Sequence, residues 1–413
     1  MSLQLGLSKI KLFENNEYIK FFVGLLLAHF ADAVMQIVLI AWLVSFLTTA
    51  GSNIAAAFFF FLLPQFLLSP ISGVIADKFN RKKIMVLSNI FRCAVILLIV
   101  LVLNFSNVES VGLSKMLWIV YLFAFLLGLG YSFFYSAKMS FITNIVDESD
   151  LKSANAINSG CINFINIFGV AVAGFMIPAF GLSKLLLLTA ALYFAATAIF
   201  SFIKVKYLQI MRFNNKILSE LHSGFKYLSC HKIPLSIILL SICVSLIIGI
   251  FINNLNTLAI DYFKSGVSGV VSYRVALGIG TIFGMFLAIL VIRYKKFYNL
   301  LLAAFGVMSI IFFLYALIKS MFVWYLLFIP FGIAIVLIWS VIDTVFQKFV
   351  PKDMLGKIYG IQLMLNTSAF LAGAFIIAKL TLSPVFVLPI LGLLSALTTI
   401  FIAVFYFRGK NNE

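Results

Sequence analysis

The chain has 413 residues, of which 63% are hydrophobic and 10% are charged, whereas a soluble domain is roughly half apolar and about a quarter charged. This composition excludes a water-soluble globular protein, because the polar side chains are too few to cover its surface. The net charge of +17 does not indicate nucleic-acid binding, since the basic residues lie in short loops between apolar runs rather than in one patch.

Twelve apolar segments of the chain each approach or exceed about 20 residues, the length that crosses a bilayer as a helix. In chain order they are 19–47, 53–75, 83–105, 116–138, 152–180, 184–204, 234–260, 268–292, 298–318, 321–346, 355–379 and 384–407. The sequence therefore predicts an all-α integral membrane protein with twelve transmembrane helices.

Lysine and arginine are concentrated in alternate loops. One set of loops holds Lys9, Lys11, Lys78, Arg81, Lys82, Lys83, Lys152, Lys204, Lys206, Arg212, Lys216, Lys226, Lys232, Arg293, Lys295, Lys296, Lys348, Lys352, Arg408 and Lys410. The opposite set holds little beyond Lys115, Lys184, Lys264, Lys319 and Lys379. Because basic loops stay in the cytoplasm, we expect both termini there. The segment before Glu17 shows no cleavable signal, so the first span is expected to direct membrane insertion.

The longest internal loop, 205–233, separates the sixth span from the seventh. Ile217 to Tyr227 is predicted to form an amphipathic helix on the cytoplasmic surface. Its predicted apolar side consists of Leu218, Leu221, Phe225 and Leu228. We therefore predict a six-helix bundle over 1–204, a cytoplasmic linker over 205–233 and a second six-helix bundle over 234–413.

Two similar segments support this division into halves. Ile145–Leu151 links the fourth and fifth spans, and Phe349–Leu355 links the tenth and eleventh, 204 residues later. Internal repeats of this kind are typical of transporters that rock two bundles around a central site.

The loop after the second span carries a motif, Gly73-Val-Ile-Ala-Asp77-Lys78-Phe-Asn80-Arg81-Lys82-Lys83. It resembles the signature of the major facilitator superfamily: Gly, three residues, Asp, a basic residue, one residue, Gly and two basic residues. Asn80 stands in place of the second Gly, and the left-handed backbone that Asn tolerates would preserve the turn.

The resemblance implies the major facilitator fold, two pseudo-repeated six-helix bundles that transport solutes by alternating access. It also assigns a gating role to the motif. Gly73 permits close helix approach, and Asp77 is expected to meet the N-terminal end of the eleventh helix near Leu355 and Gly356, holding the outward-open state.

Further segments resemble one bacterial efflux branch, which includes macrolide exporters and enterobactin-type siderophore exporters. They are Leu63–Pro70, Val146–Ala156 and Glu220–Leu228. This resemblance implies proton-coupled efflux (antiport) of a small amphipathic solute. Two departures weaken the drug–proton antiport reading: Asn89 stands where relatives often carry an acid, and Gly169–Gly174 lacks the Gly-Pro pair of many antiporters.

Other functions remain open. The segment Tyr135–Lys138 resembles bacterial lysophospholipid transporters, so a lysophospholipid transporter or flippase is the alternative. A metal-ion exporter built on His29 and Asp32 is a minor alternative. A non-transporting receptor or accessory subunit would leave the signature motif without a task.

Asp32 is the clearest candidate for the mechanism. It lies about 18 Å into the first span, near mid-membrane, where an ionised group costs at least ~2.5–3.5 kcal/mol. His29 lies three residues before it and Gln36 four after, on one helix face. We predict that this face lines the central cavity and serves proton coupling or substrate binding; a hydrogen-bonded Asp–His pair that only packs helices is the other reading.

Other polar residues lie within the spans. The fifth span carries a polar stripe, predicted as a cavity wall, and the seventh carries amides in its outer half, predicted to contact solute or form an outer gate. These are Asn155, Asn158, Asn163, Asn166, Asn253, Asn254 and Asn256. Arg92 is deep in the third span and needs a partner, as a structural or gating residue. Lys138 is expected to extend its amine to the membrane surface or, alternatively, to pair with Asp77. Asp343 is expected to pair with Lys295 or Lys296.

The sequence shows no GxxxxGK[ST] loop and no His, Cys or Asp cluster with metal-ligand spacing. The four cysteines Cys93, Cys161, Cys230 and Cys243 lack a CxxC pair and are predicted to be packing residues. We therefore expect no enzyme, no cofactor and no metal site. The expected partners are a small-molecule solute, protons and the lipid bilayer, for a monomer in the bacterial inner membrane that binds no nucleic acid.

Overall fold

The computed structural model describes residues 11–46, 51–105, 112–205, 217–257, 266–291, 297–318, 320–379 and 384–410. Within these ranges the chain forms α-helices with two short 3-10 turns, Lys11–Glu14 and Ile142–Asn144, and no strand. The helices are α1 (Asn16–Phe46), α2 (Gly51–Lys78), α3 (Arg81–Phe105), α4 (Leu113–Phe141), α5 (Leu151–Ser201), α6 (Ile217–Cys230), α7 (Lys232–Thr257), α8 (Gly266–Val291), α9 (Phe297–Leu317), α10 (Met321–Phe349), α11 (Leu355–Lys379) and α12 (Pro384–Lys410).

The prediction of an all-α membrane fold with twelve spans is confirmed. Ten described helical segments are long and apolar enough to cross a membrane, and Val275–Leu290 in α8 is apolar but shorter. The predicted fifth and sixth spans lie together in α5, which is interrupted at Gly181 with φ of 75° and ψ of 166°. Glycine adopts this conformation without a Cβ clash, so the connection between the two spans needs no longer loop.

The outer surface of the helices is apolar. Phe105, Phe175 and Leu317 are among the large hydrophobic side chains that are almost fully exposed. Water would penalise such a surface, whereas acyl chains do not, so this side is suited to lipid.

Helices from the N-terminal and C-terminal halves of the chain pack against each other at one end of the molecule. This signature end carries residues 78–81 and 350–354. There α2 packs against α11, and α5 packs against α8 and α10. Small residues allow the approach: a Cβ on Gly160 of α5 would lie 2.3 Å from the Cβ of Met285 in α8. The division into bundles 1–204 and 234–413 with a linker 205–233 remains a prediction.

The linker helix α6 packs against α2 and α11. Its buried face consists of Glu220, Gly224 and Leu228, whereas Phe225 is exposed. Of the predicted apolar side, Leu228 is buried, Leu221 is half-buried and Phe225 is exposed, and the side chain of Leu218 lies outside the described residues. The buried Glu220 contacts lysines on the two helices beneath it.

Candidate functional site

Asp77 caps a helix that is distant in sequence. Its Oδ1 accepts a hydrogen bond from the backbone N–H of Gly356 at 2.6 Å, and its Oδ2 accepts one from the N–H of Lys357 at 2.8 Å. These N–H groups belong to the first turn of α11, where they have no intrahelical partner and where the helix dipole favours a carboxylate. The expected contact of Asp77 with this helix end is therefore present.

Gly73 and Gly356 let the two backbones touch beside this cap. A Cβ on Gly73 would lie 2.2 Å from the carbonyl oxygen of Gly356, and a Cβ on Gly356 would lie 2.6 Å from Oδ1 of Asp77. No side chain fits at either position without moving α2 away from α11.

The basic residues of the motif fix the surrounding backbone. Arg81 bonds Asp77 Oδ1 at 3.1 Å and also donates to the carbonyl oxygen of Lys352 across the signature end. Lys82 donates to the carbonyl oxygens of Ser201 and Ile203 at 2.7 and 2.9 Å, which caps the C-terminal end of α5.

Asn80, which replaces the signature glycine, has a structural task of its own. Its Oδ1 accepts a hydrogen bond from the N–H of Lys83 at 3.2 Å. Asn80 therefore caps the N-terminus of α3, a position that favours asparagine.

Glu220 joins the two sides of the signature end through α6. Its carboxylate contacts Lys78 of α2 at 2.6 Å and Lys357 of α11 at 2.8 Å, and all three side chains are buried. The hydrogen bonds from Lys357 and Lys78 lower the pKa of Glu220 to about 2. Sequence reasoning assigned Lys78 to the motif but missed Glu220 as its partner.

Glu220→Gln is expected to destabilise the protein at neutral pH, because it leaves two buried lysines without their carboxylate. The lowered pKa means that the contribution is complete above about pH 4.5 and is lost as the pH falls through about 2. The shift corresponds to about 3 kcal/mol at most. Thermal unfolding of wild type and variant from pH 7 to pH 2 measures this difference.

The exposed Glu148→Gln is the matched control for this experiment, and it should show no pH-dependent difference from wild type. A gap between wild type and Glu220→Gln that persists unchanged at pH 2 would contradict the assignment.

A central cavity of about 430 Å³ lies between helices of both halves. Its polar lining consists of His29, Tyr131, Tyr135, Lys138, Asn155, Asn158, Ser159, Asn163, Asn166, Ser245, Asp343, Gln347, Asn366 and Thr367. The four asparagines of the fifth span therefore lie at the cavity wall. Asn155 also donates to Thr344 at 3.1 Å and to Gln347 at 2.6 Å, so it links α5 to α10 near the signature end.

The amides of the seventh span do not join this lining as the structure describes it. Asn254 is buried within α7, and the side chains of Asn253 and Asn256 lie outside the described residues. Their predicted contact with solute stays a prediction. Lys295 and Lys296, the predicted partners of Asp343, also lie outside the described residues.

Asp32 has a partner that the sequence did not identify. Its Oδ1 accepts hydrogen bonds from Arg92 at 2.8 Å and from the hydroxyl of Tyr193. The guanidinium of Arg92 also donates to Asn89 and lies 4.5 Å from the ring centroids of Phe134 and Tyr193. Arg92 is almost fully buried, so these contacts replace its hydration.

Gly130 makes room for this arginine. A Cβ at Gly130 would lie 2.6 Å from Cγ of Arg92. A larger residue in α4 would push the guanidinium away from Asp32.

His29 connects Asp32 to Lys138. Its Nδ1 lies 3.6 Å from Oδ2 of Asp32, and its Nε2 lies 2.8 Å from Nζ of Lys138. Lys138 is buried, so the prediction that it snorkels to the surface was wrong. Its alternative partner Asp77 is bound by Arg81 instead, because Lys138 points from α4 toward α1.

The three residues of the first-span face reach two different cavities. His29 lines the central cavity, whereas Asp32 and Gln36 line a second, narrow cavity. The prediction of one shared cavity face is therefore wrong for Asp32 and Gln36. Arg92 and Tyr193 hold the Asp32 carboxylate toward α3 and α5, away from the central cavity.

The donors around His29 do not favour a metal ion. Among the residues that the structure describes, no group of three or more His, Cys, Asp or Glu could hold one. The two cations Lys138 and Arg92 lie in contact with His29 and Asp32 and would repel a bound cation.

The family model described as Major Facilitator Superfamily matches residues 21–374. The chain belongs to the Major Facilitator Superfamily. It is therefore a multi-pass membrane protein of a family whose members transport small solutes and are not in general enzymes.

Two curated relatives in Bacillus subtilis (strain 168) resemble parts of this superfamily member. The uncharacterized MFS-type transporter YfiS is 30% identical over 143 residues, which cover 35% of the chain and 31% of YfiS. The uncharacterized MFS-type transporter YkuC is 22% identical over 177 residues, which cover 43% of the chain and 39% of YkuC. The matches thus span only about a third of each relative's length.

Solved structures share the fold over nearly the whole length. A bacterial homologue of the iron transporter ferroportin in an outward-facing state has a TM-score of 0.74 at 16% identity, covering 95% of this chain and 99% of that one. The human organic anion transporter MFSD10 (TETRAN) has a TM-score of 0.69 at 13% identity, covering 93% and 98%. FucP in its outward conformation has a TM-score of 0.68 at 14% identity, covering 94% and 97%. At these identities the superfamily fold is shared and no substrate follows.

Proposed function

We propose that the chain is a secondary-active transporter that exports a small amphipathic solute, a drug or a siderophore, in exchange for protons. The observation that carries the proposal is the central cavity between the two halves, with buried ionisable groups in its wall. Such an arrangement can bind a solute and exchange protons in the same conformational cycle.

The cavity suits an amphipathic solute in size and lining. Its volume of about 430 Å³ lies within the range of about 300–1,000 Å³ that is usual for small-molecule sites. Aromatic side chains such as Tyr131, Tyr135 and Trp339 supply apolar surface, and the asparagine amides supply hydrogen-bonding groups. Lys138 and Asp343 place an amine and a carboxyl group at the wall.

The signature end is the gate of this transporter, and its closure by contacts between helices supports transport by alternating access. The contacts of Asp77, Glu220 and Asn155 close the signature end. With both termini in the cytoplasm, this arrangement is the outward-facing state. The bundles 1–204 and 234–413 then rock about the cavity, and the linker 205–233 joins them.

The location proposed for the protein is the bacterial cytoplasmic membrane, where it works as a monomer. The positive charge of the loops on the signature side supports this orientation. The curated relatives are bacterial as well.

The experiment reconstitutes the protein in liposomes loaded with the pH dye pyranine and adds erythromycin, enterobactin, lysophosphatidylethanolamine or Mn²⁺ in turn. A macrolide or siderophore gradient should drive protons in the direction opposite to the solute. Protein-free liposomes control for solute leakage.

Three results would overturn the proposal. Lysolipid movement without a pH change would support the lysophospholipid alternative, and a response to Mn²⁺ alone would support the metal-ion alternative. A wild type that moves no protons with any solute would leave proton-coupled export without support.

A further inference from the structure

The narrow cavity beside Asp32 lies within the N-terminal helices. Its lining comes from α1 to α5 alone among the described residues, and α7 to α12 contribute none. Along α1 it extends from Asp32 to Leu43, and on α2 it includes Ala57. Both stretches point away from the signature end, so this cavity leads toward the opposite face of the membrane.

The size of this cavity separates it from the solute site. Its volume is about 40 Å³, compared with about 430 Å³ for the central cavity. A water molecule needs roughly 10–15 Å³ measured in this way. A few waters therefore fit and a drug-sized solute does not.

One chain of proton-carrying groups joins the two cavities. Lys138 and His29 line the central cavity, and Asp32 lines the narrow one. We propose that protons exchange between Asp32 and the outer face through the narrow cavity, and that His29 and Lys138 carry them between Asp32 and the central cavity. This inference rests on the proton coupling in the proposed function and adds a route for the proton that the solute does not share.

The hydrogen bonds define each transfer. An ammonium has no acceptor, so Lys138 donates to Nε2 of His29, and the ring proton is then on Nδ1, facing Oδ2 of Asp32. When a proton moves outward, an Nζ–H bond of Lys138 breaks as Nε2–H forms, and Nδ1–H breaks as Oδ2–H forms. Lys138 then takes a proton from water in the central cavity, and the carboxyl group of Asp32 turns to release its own proton to water in the narrow cavity. The imidazole flips, so that an N–H again faces Asp32 and the bare ring nitrogen faces Lys138. The inward direction reverses each step.

Oδ2 of Asp32 is placed to take part. Oδ1 accepts from Arg92 and Tyr193, whereas Oδ2 is buried and has no hydrogen-bond partner among the described residues. A shift of the imidazole by a few tenths of an ångström would bring the 3.6 Å separation within hydrogen-bond range.

The charged and titratable neighbours come from several helices. Arg92, Tyr193 and Tyr131 interact electrostatically with Asp32. Asp343 of α10 interacts with Lys138, and Tyr135 lies beneath its ammonium at 5.4 Å from the ring centroid. Asp343 belongs to the C-terminal half, whereas Lys138 and Asp32 belong to the N-terminal half. Movement of one half against the other therefore changes the electrostatic potential at Lys138, while the groups around Asp32 all move with it.

The first experiment measures water access to each cavity. Met35→Cys, at a buried position of the narrow cavity, and Asn163→Cys, in the central cavity, are made in a chain whose four native cysteines are replaced. Modification by Ag⁺ and by a bulky maleimide is followed by mass spectrometry. We expect Ag⁺ to reach both positions and the maleimide to reach only Asn163→Cys. Filling the narrow cavity with Ala57→Leu should slow the reaction of Ag⁺ with Met35→Cys at least 10-fold and leave its reaction with Asn163→Cys unchanged.

The second experiment measures coupling in the pyranine liposomes with erythromycin or enterobactin. Ala57→Leu and His29→Gln should each slow solute-driven proton movement at least 10-fold, and Ala57→Leu, which does not line the central cavity, should keep solute binding. If Ala57→Leu does not fold, His29→Gln, which leaves the narrow cavity open and removes the proton carrier, tests the route by itself. Ala94→Leu, on the exposed side of α3, is the matched control and should behave as wild type.

The outcomes distinguish this inference from the proposed function. A wild type that moves no protons with any solute overturns both. The separate proton route alone is overturned if the wild type moves protons with solute and both Ala57→Leu and His29→Gln do so as fast as Ala94→Leu. Equal slowing of Ag⁺ at both cysteines by Ala57→Leu also overturns it, because the cavities would then be one.

Discussion

Asp32→Asn is expected to lower solute-driven proton movement by about 100-fold or more, because an amide cannot take up and release the proton. The pyranine assay measures this rate, and an equilibrium binding assay with erythromycin or enterobactin measures solute affinity, which should stay within a few-fold of wild type. Insertion into the membrane should be unaffected, since the amide is cheaper to bury than the carboxylate.

A structural explanation for the same loss must be separated from a proton-carrying role. Asp32→Asn leaves Arg92 buried without its counter-charge, and breaking a buried pair costs about 3–5 kcal/mol. The double variant Asp32→Asn/Arg92→Gln removes both charges and should recover much of the lost thermal stability. Proton movement should nevertheless remain absent, and its return in the double variant would contradict the role of Asp32.

Gly73→Ala is expected to shift the protein toward the state in which the signature end is open. The added Cβ would lie 2.2 Å from the carbonyl oxygen of Gly356, and overpacking of this kind costs about 1–3 kcal/mol. The cost falls only on the closed arrangement, because α2 and α11 must separate there during alternating access. A difference of this size changes the ratio of the two states by about 5- to 150-fold.

Distance measurements between spin labels on Phe79 and Lys352, one on each side of the signature end, report this shift. Gly174→Ala is the matched control, because a Cβ there meets nothing within 4 Å. An unchanged distance distribution in Gly73→Ala, or an equal change in Gly174→Ala, would contradict the gating role of the α2–α11 contact.

The composition and the pattern of apolar runs were sufficient to predict the helical membrane architecture. A run of about 20 apolar residues can be satisfied in lipid only as a helix, so the spans follow from the sequence with ends close to those observed. The contact of Asp77 with α11 was implied by the resemblance of Gly73–Lys83 to the superfamily signature, and the backbone N–H groups at the N-terminus of α11 provide it.

Partnerships between helices could not be derived in this way. The sequence marked Asp32, Arg92 and Lys138 as costly to bury, but it contained no signal that pairs Asp32 with Arg92, 60 residues away. Tyr193 and Glu220 were missed because one hydroxyl in an apolar span and one acid in a linker are unremarkable until a partner helix is placed against them.

By itself, the sequence determined that this chain spans the membrane as twelve helices and which residues are anomalous there. The gating role of Gly73–Lys83 was implied by the family resemblance and stays a prediction. Only the tertiary structure decided that Asp32 and His29 face two different cavities and that His29 connects Asp32 to Lys138. The physical reason is that hydropathy and helix propensity act along the chain within a few turns, whereas the direction of a buried charge is set by the helix that packs against it.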